Sequence, residues 1–519
     1  MPLAGPPLAA PFDIQRLLET GLSTKPDEIA LRSLDACWNW KELAEQSTRL
    51  AGHLLSQGLQ AGDRVASLMP NRGELIIHYL ACMKAGLVAT PLNYRYQPPE
   101  IDHALKISDA SLLLFHAERE QEISKSKLAN QLPLGQIRYS GPKSRKPNLE
   151  WFLSNDSPID DFPEIQRDTP AFIYFTSGST GKPKGVTHTQ ATIGWMIASH
   201  IAALEFTSED VLLPSSSLSH IGACLSSLSC LACGGRVDVA HLTDGDEVLQ
   251  LLEQTRPTIL IMLPAALTCL VNEHAATKNH FSSLRACFSG GDSVSPALEH
   301  AFSKLTGMTI DEVYGMSEIG LATTNRPSGT NKLGSIGQLA DGYQASIRNS
   351  DQEEVPTGDD GQLWMKSPAN TIGYWGHPEA MQKTIQDGWL DTGDLARADS
   401  DDYIWFLGRK KRITVHDGSN ICPQEIEASL TDHPSIDSAC VVGIQDMIHG
   451  ETVCAYVTLK DGKKQPTVAE LIKHSRNQVG YKAPEQIRFL ESMPLNTTGK
   501  LDRKILKRMA TNNPSQSSQ

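Results

Sequence analysis

Short, largely apolar runs recur along the chain, at 64–69, 87–91, 112–115, 171–175, 211–214, 258–263 and 284–289, and 309–313 reads as a further strand that stops at a Gly-containing turn. Most of them are followed closely by glycine, proline or small polar residues. Between them lie stretches of helical periodicity. Leu43, Leu50 and Leu54 put apolar groups on one face of a helix over 40–57, a second helix over 74–85 ends at Gly86, and a third occupies 188–204. Strand after helix after strand predicts a parallel, doubly wound α/β sheet. The 519 residues exceed what one hydrophobic core organises, so more than one subdomain is expected. The mostly polar segment 124–161 reads as loop and surface.

From Gly334 the texture changes. Short strand candidates at 344–348 and 362–365 flank the turn-rich 356–361, which reads as a β-subdomain. The basic cluster closing 403–412 reads as an exposed connector. Beyond it, a helix over 423–430 with proline in its first turn, strands at 438–442, 452–459 and 486–490, a helix over 468–479 and a last helix from Leu501 predict a compact α+β domain. The polar end, 512–519, reads as a disordered tail.

One loop is chemically unusual. Thr176, Ser177, Ser179 and Thr180 offer hydroxyls, Gly178, Gly181 and Gly185 allow close approach of backbone N–H groups, and Lys182 and Lys184 supply ammonium groups. That set suits a polyphosphate. The spacing is not that of the P-loop, and Pro183 blocks an immediate helix start. Standing alone, the segment also reads as a solvated Gly/Ser turn. A lone His220 beside an apolar helix is ordinarily a satisfied core residue.

The formal net charge of −13 argues against a nucleic-acid partner or an anionic membrane surface. Ten cysteines without a repeating spacing suggest neither a disulfide framework nor a zinc site, and Cys230 and Cys233 read as reduced core residues. Residues 1–12 lack the features of a secretory signal, and no run is long and apolar enough to cross a bilayer. A cytoplasmic protein is expected, as a monomer or homodimer.

The order of motifs resembles the adenylate-forming superfamily, in its acyl-CoA synthetase branch. The elements are 174–185, the His220 segment, Gly290-Gly291, Tyr314 to Glu318, 389–394, 408–411, 418–425 and 494–503. The resemblance implies a reaction in two halves: a carboxylate attacks the α-phosphate of ATP, giving an acyl-adenylate and pyrophosphate, and the thiol of CoA then displaces AMP. It implies that Thr176, Ser177, Gly178, Ser179, Thr180, Gly181 and Lys184 hold phosphates and that Glu318, with Thr180, holds Mg²⁺. Tyr314 stacks on the adenine, Gly290 and Gly291 leave room for the ring, and Gly315 and Ser317 belong to the cofactor-binding set. Asp394, following a glycine at the end of a strand, and Arg409 contact the ribose. Lys500 bridges the incoming carboxylate and the α-phosphate.

By the same resemblance the chain divides into a large N-terminal domain, 1–408, a hinge, 409–411, turning at Lys411, and a small mobile domain, 412–510, followed by the tail 511–519. The swing brings the loop around Gly418 to the thiol tunnel, and His220 gates the acyl pocket. Two positions depart from the family pattern: Ser317 stands where threonine is usual, and His416-Asp417 precede Gly418 where small residues are common. Met316, Ile319, Gly320 and 337–339 bound a pocket without a cation, which implies a hydrophobic monocarboxylic acid, medium-chain or aromatic. Two alternatives remain: loading of a carrier-protein thiol or oxidation of the adenylate, and a nucleotide-binding sensor without turnover.

Overall fold

The computed structural model describes residues 2–33, 35–139, 148–159, 161–176, 183–241, 245–377, 379, 381, 384–409, 414–416, 419–421, 423–446, 450–479, 483–495 and 501–512. The chain forms two compact units, one of residues 1–346, 364–390 and 401–404, the other of 347–363, 391–400 and 405–519.

The first unit contains two sheets of the doubly wound kind. In one, the strand order is Gly373–Tyr374, Lys184–Thr189, Pro170–Thr176, Val88–Pro91, Arg64–Leu68, Leu112–His116, Gln136–Tyr139. From Pro170–Thr176 onward the pairings are parallel, and the two strands before it are antiparallel. The other sheet has nine strands, with Val211–Ser215, Ile259–Met262, Ala286–Gly290 and Asp311–Met316 side by side and parallel at its centre. Strands buried on both faces read as continuous apolar runs, which is why these were visible in the sequence. Leu113, Ile173 and Ile101 pack in one core, and Leu260, Cys287 and Phe302 in another.

Helix boundaries follow local chemistry. Asn39 and Glu42 form a reciprocal capping box at the start of Trp40–Ser56, and Gly86, at φ +70°, ends Gly73–Ala85.

Several expectations need correction. Residues 188–189 belong to a strand, Lys184–Thr189, and the helix begins at Gln190. Val186, Thr187 and Thr189 favour a strand, and Thr189 caps the helix through Thr192. The segment 124–161 is not all loop: Gln136–Tyr139 is an edge strand and Leu149–Ser154 a helix, burying Ile137 and Phe152. Asp394 lies inside the strand Trp389–Ala398 rather than at its end, because Gly393, at φ +71°, kinks that strand without terminating it. Arg409, the first residue of the basic cluster read as a connector, ends the strand Ile404–Arg409, paired with Trp389–Ala398 in a six-stranded sheet with Gln344–Arg348 and Gly361–Lys366, while Lys410, Lys411 and Arg412 lie outside the described residues.

The second unit includes an antiparallel pair, Ile436–Asp446 with Gly450–Leu459, to which Gln486–Phe489 adds in parallel. Helices Pro423–Thr431 and Val468–Val479 cover it, burying Ile426, Leu430 and Leu471 against Val441 and Val457.

Candidate active site

In the nine-stranded sheet, the carboxyl ends of four adjacent parallel strands lead to the Ser217–His220 turn, to Leu263, to Gly290-Gly291 and to Tyr314–Glu318. In open α/β sheets this edge is where ligands bind. His220 is exposed, at the N-cap of the helix Ile221–Ala232. Gly290 sits in register with Val313 of the next strand. A Cβ on Gly290 would come 2.6 Å from Val313 Cγ2 and closer still to the Val313 carbonyl oxygen, so the neighbouring strand itself requires glycine there.

The turn carrying Glu318 is held from several sides. Asp311–Met316 is met antiparallel by Gly320–Thr324, with a register shift between Tyr314 and Gly315. Gly315 faces the Gly320 backbone, with no space for a side chain. The buried His188 donates from Nε2 to the Ser317 carbonyl at 2.7 Å. Burial pushes its pKa down to about 4, which keeps the ring neutral. Thr371 N–H donates to the Glu318 carbonyl at 2.7 Å, and the Tyr343 hydroxyl donates to the Ile319 carbonyl. The Glu318 side chain is itself nearly buried, at 6% exposure, and its Oε1 accepts a hydrogen bond from the Tyr374 hydroxyl at 2.9 Å.

The phosphate-loop candidate begins where Pro170–Thr176 ends and returns along Lys184–Thr189, with Thr176 opposite Lys184. Ser177, Gly178, Ser179, Thr180, Gly181 and Lys182 lie outside the described residues. The described flank is fastened by His103, which donates from Nε2 to the Pro183 carbonyl at 3.0 Å. The Lys184 ammonium rests 4.8 Å from the centre of the Tyr374 ring. Lys184 and Glu318, far apart in sequence, are thus brought to the same tyrosine.

Sequence reasoning missed Tyr374, Thr371, His188 and His103. The signal available was Gly373-Tyr374-Trp375, an aromatic pair behind a glycine that adopts φ +135°.

In the second unit, Asp394 and Arg409 occupy paired strands, and Arg409 Nε lies 3.0 Å from Asp394 Oδ1. Asp394 is 1% exposed, whereas half of the Arg409 side chain is open to solvent. An exposed guanidinium beside a buried carboxylate keeps the remaining donors of the fork available. His416 pairs antiparallel with Ser419; Asp417 and Gly418 lie outside the described residues, as do Lys411 and Lys500. Leu495 and Leu501 bridge antiparallel on either side of 496–500, and Arg503 makes a two-pronged ion pair with Glu427. No helix among the described residues is long and apolar enough to cross a membrane.

A doubly wound core, a Gly/Ser/Lys loop at a strand end and a carboxylate fixed on a neighbouring turn define the class of adenylate-forming enzymes. Residues 18–375 match the family described as AMP-binding enzyme and residues 425–500 its C-terminal domain, and the chain belongs to that family. It is 31% identical to a feruloyl-CoA synthase of an Amycolatopsis species over 92% of this chain and 94% of the relative. To a medium-chain fatty-acid–CoA ligase of Escherichia coli it is 30% identical, over 93% of this chain and 88% of the other. The structure superimposes on that of ATP-bound MatB from Rhodopseudomonas palustris with a TM-score of 0.88 at 27% identity, covering 96% of this chain and 99% of the other.

Proposed function

We propose that this enzyme is an ATP-dependent acid–CoA ligase that activates a hydrophobic monocarboxylic acid, medium-chain or aromatic, as its adenylate and transfers the acyl group to CoA. The observation that carries the adenylating half is the convergence of Lys184 and Glu318 on Tyr374. One cation and one carboxylate held close together suit a polyphosphate with its counter-ion. The similarity to feruloyl- and medium-chain acyl-CoA-forming enzymes supports CoA as acceptor and an apolar acid as substrate.

In this reading Thr176 to Lys184 receive the β- and γ-phosphates, Tyr314 stacks on the adenine beside Gly290 and Gly291, and Gly315 and Ser317 complete the nucleotide-binding turn. Asp394 and Arg409 take the ribose. Lys500 brings the acyl carboxylate and the α-phosphate together by lowering their mutual repulsion. Glu318 suits Mg²⁺: it is a hard oxygen donor on a turn fixed by backbone hydrogen bonds. When bound, the ion would neutralise phosphate charge, with Thr180 as a further oxygen ligand. For the second half, rotation at Lys411 between 1–408 and 412–510 withdraws Lys500 and presents the Gly418 loop, with His220 opening the way to the thiol.

Pyrophosphate release across a panel of acids, with and without CoA, tests this. Release with apolar monocarboxylic acids, and thioester formed with CoA, is the expected result. Release indifferent to CoA with no thioester would point to a carrier-protein thiol or oxidation of the adenylate. No release with any acid would leave a nucleotide sensor.

A further inference from the structure

Tyr374 belongs to an edge strand of two residues whose partners are Val186 and Thr187. Thr371 Oγ1 donates to the Thr187 carbonyl at 2.7 Å, and Trp375 N–H donates to the Gly185 carbonyl at 2.7 Å, so residues 371–375 are bonded along the strand that leaves the phosphate loop. Lys184 is two residues from Val186, the partner of Tyr374. Diagonal neighbours of this kind share one face of a sheet, which is how the ammonium comes to lie over the ring. The same segment reaches the Glu318 turn twice, through Thr371 N–H to the Glu318 carbonyl and through the Tyr374 hydroxyl to Oε1. A half-buried phenol beside a buried carboxylate keeps its proton, so Tyr374 is the donor.

We infer that Tyr374 is a positioning residue for nucleotide binding: its hydroxyl fixes the orientation of the Glu318 carboxylate for the divalent cation, while its ring holds Lys184 beside it. The inference rests on the reading of Glu318 as the carboxylate that meets the metal–ATP complex. A carboxylate whose oxygens are free to rotate must be ordered when the cation arrives, and Tyr374 supplies that order beforehand. Lys184 needs only the ring, so the two functions of the side chain are separable.

The test is a binding measurement on the full-length protein without acid or CoA. The dissociation constant of ATP is determined by titration calorimetry with Mg²⁺ and with EDTA, for the wild type, Tyr374→Phe and Glu318→Gln. Tyr374→Phe is expected to reduce the Mg²⁺-dependent gain in ATP affinity about tenfold, the value of one hydrogen bond to a charged group, and to leave the affinity in EDTA unchanged. A gain equal to that of the wild type, or an equal loss with and without Mg²⁺, would overturn the inference. Glu318→Gln separates the two layers. If it keeps the Mg²⁺-dependent gain, the reading of Glu318 fails. If it loses the gain and Tyr374→Phe does not, only the role of Tyr374 fails.

Discussion

Gly315→Ala is the sharpest single perturbation of this site. An ideal Cβ at Gly315 would stand 3.0 Å from the Gly320 carbonyl carbon and 3.1 Å from Leu321 Cα, with the Gly320 oxygen nearer still. All three are backbone atoms, so no side chain can turn aside; the strands must part. Ordinary contacts begin near 3.5 Å and the Gly320 oxygen is the nearest atom, so a shift of roughly an ångström or more is needed at this bulge. Overpacking of this kind costs about 1–3 kcal/mol. The shift falls between Tyr314 and Glu318, and a displacement of about 1 Å in a positioned group can reduce rate about 10²-fold. The assay is ATP–pyrophosphate exchange beside a thermal melt, with Gly307→Ala as control. Gly307 ends a helix at φ +83° with nothing near its missing Cβ, so that variant should lose about 1 kcal/mol to strain and keep full exchange. Wild-type exchange in Gly315→Ala would refute the view that this close approach sets the site.

Lys500→Ala should abolish formation of the adenylate and leave thioester formation from supplied acyl-adenylate largely intact; equal loss in both halves would remove Lys500 from its assigned role. Burial pushes the Glu312 carboxyl up to about 8, so the folded state keeps a proton that the unfolded chain releases from about pH 4 upward, and stability falls as pH rises through that window. Glu312→Gln should therefore gain melting temperature over the wild type increasingly from about pH 5 to about pH 9; a flat difference would mean Glu312 is ionised at neutral pH. Asp210, 3% exposed, accepts a fork from Arg285 at 2.7 and 2.8 Å. Burial alone would raise its pKa, and the hydrogen bonds from Arg285 and Thr258 outweigh that and lower it. Arg285→Met should cost about 3 kcal/mol at neutral pH, the lower end for breaking a buried pair because Arg285 is partly exposed. The wild type loses this advantage as pH falls below about 4, so the gap should narrow there in urea titrations; a gap independent of pH would exclude the ion pair as its source.

Much of the first unit could be read directly. Parallel strands buried on both faces leave apolar runs, and Gly86 marks the helix end expected of it. Asn39 and Thr189 cap their helices through bonds to their own neighbours in sequence, signals that sequence reasoning missed, and the helix expected from His188 begins two residues later, at Gln190. Where edge strands were short or partly polar, as at Gln136–Tyr139 and Gly373–Tyr374, the pattern was too brief to register. The last two residues of the strand Lys184–Thr189, His188 and Thr189, read as the start of the following helix because they suit both until pairing with Pro170–Thr176 decides.

By itself the sequence determined most of the order of its elements, because that depends on local apolar pattern and turn chemistry, and the ordered motifs, through their resemblance to the adenylate-forming superfamily, pointed to the class of enzyme and to the residues proposed for phosphate, metal, ribose and carboxylate. Only the tertiary structure decided that Tyr374 stands between Lys184 and Glu318, that His188 holds the Ser317 carbonyl, and that Gly290 and Gly315 are required by neighbouring backbone. The reason is physical: these contacts arise from strand register and sheet order, which bring His188 to Ser317 and Lys184 to Tyr374 from more than a hundred residues away and set Gly290 and Gly315 against the backbone of an adjoining strand, and no local preference of either segment specifies the other.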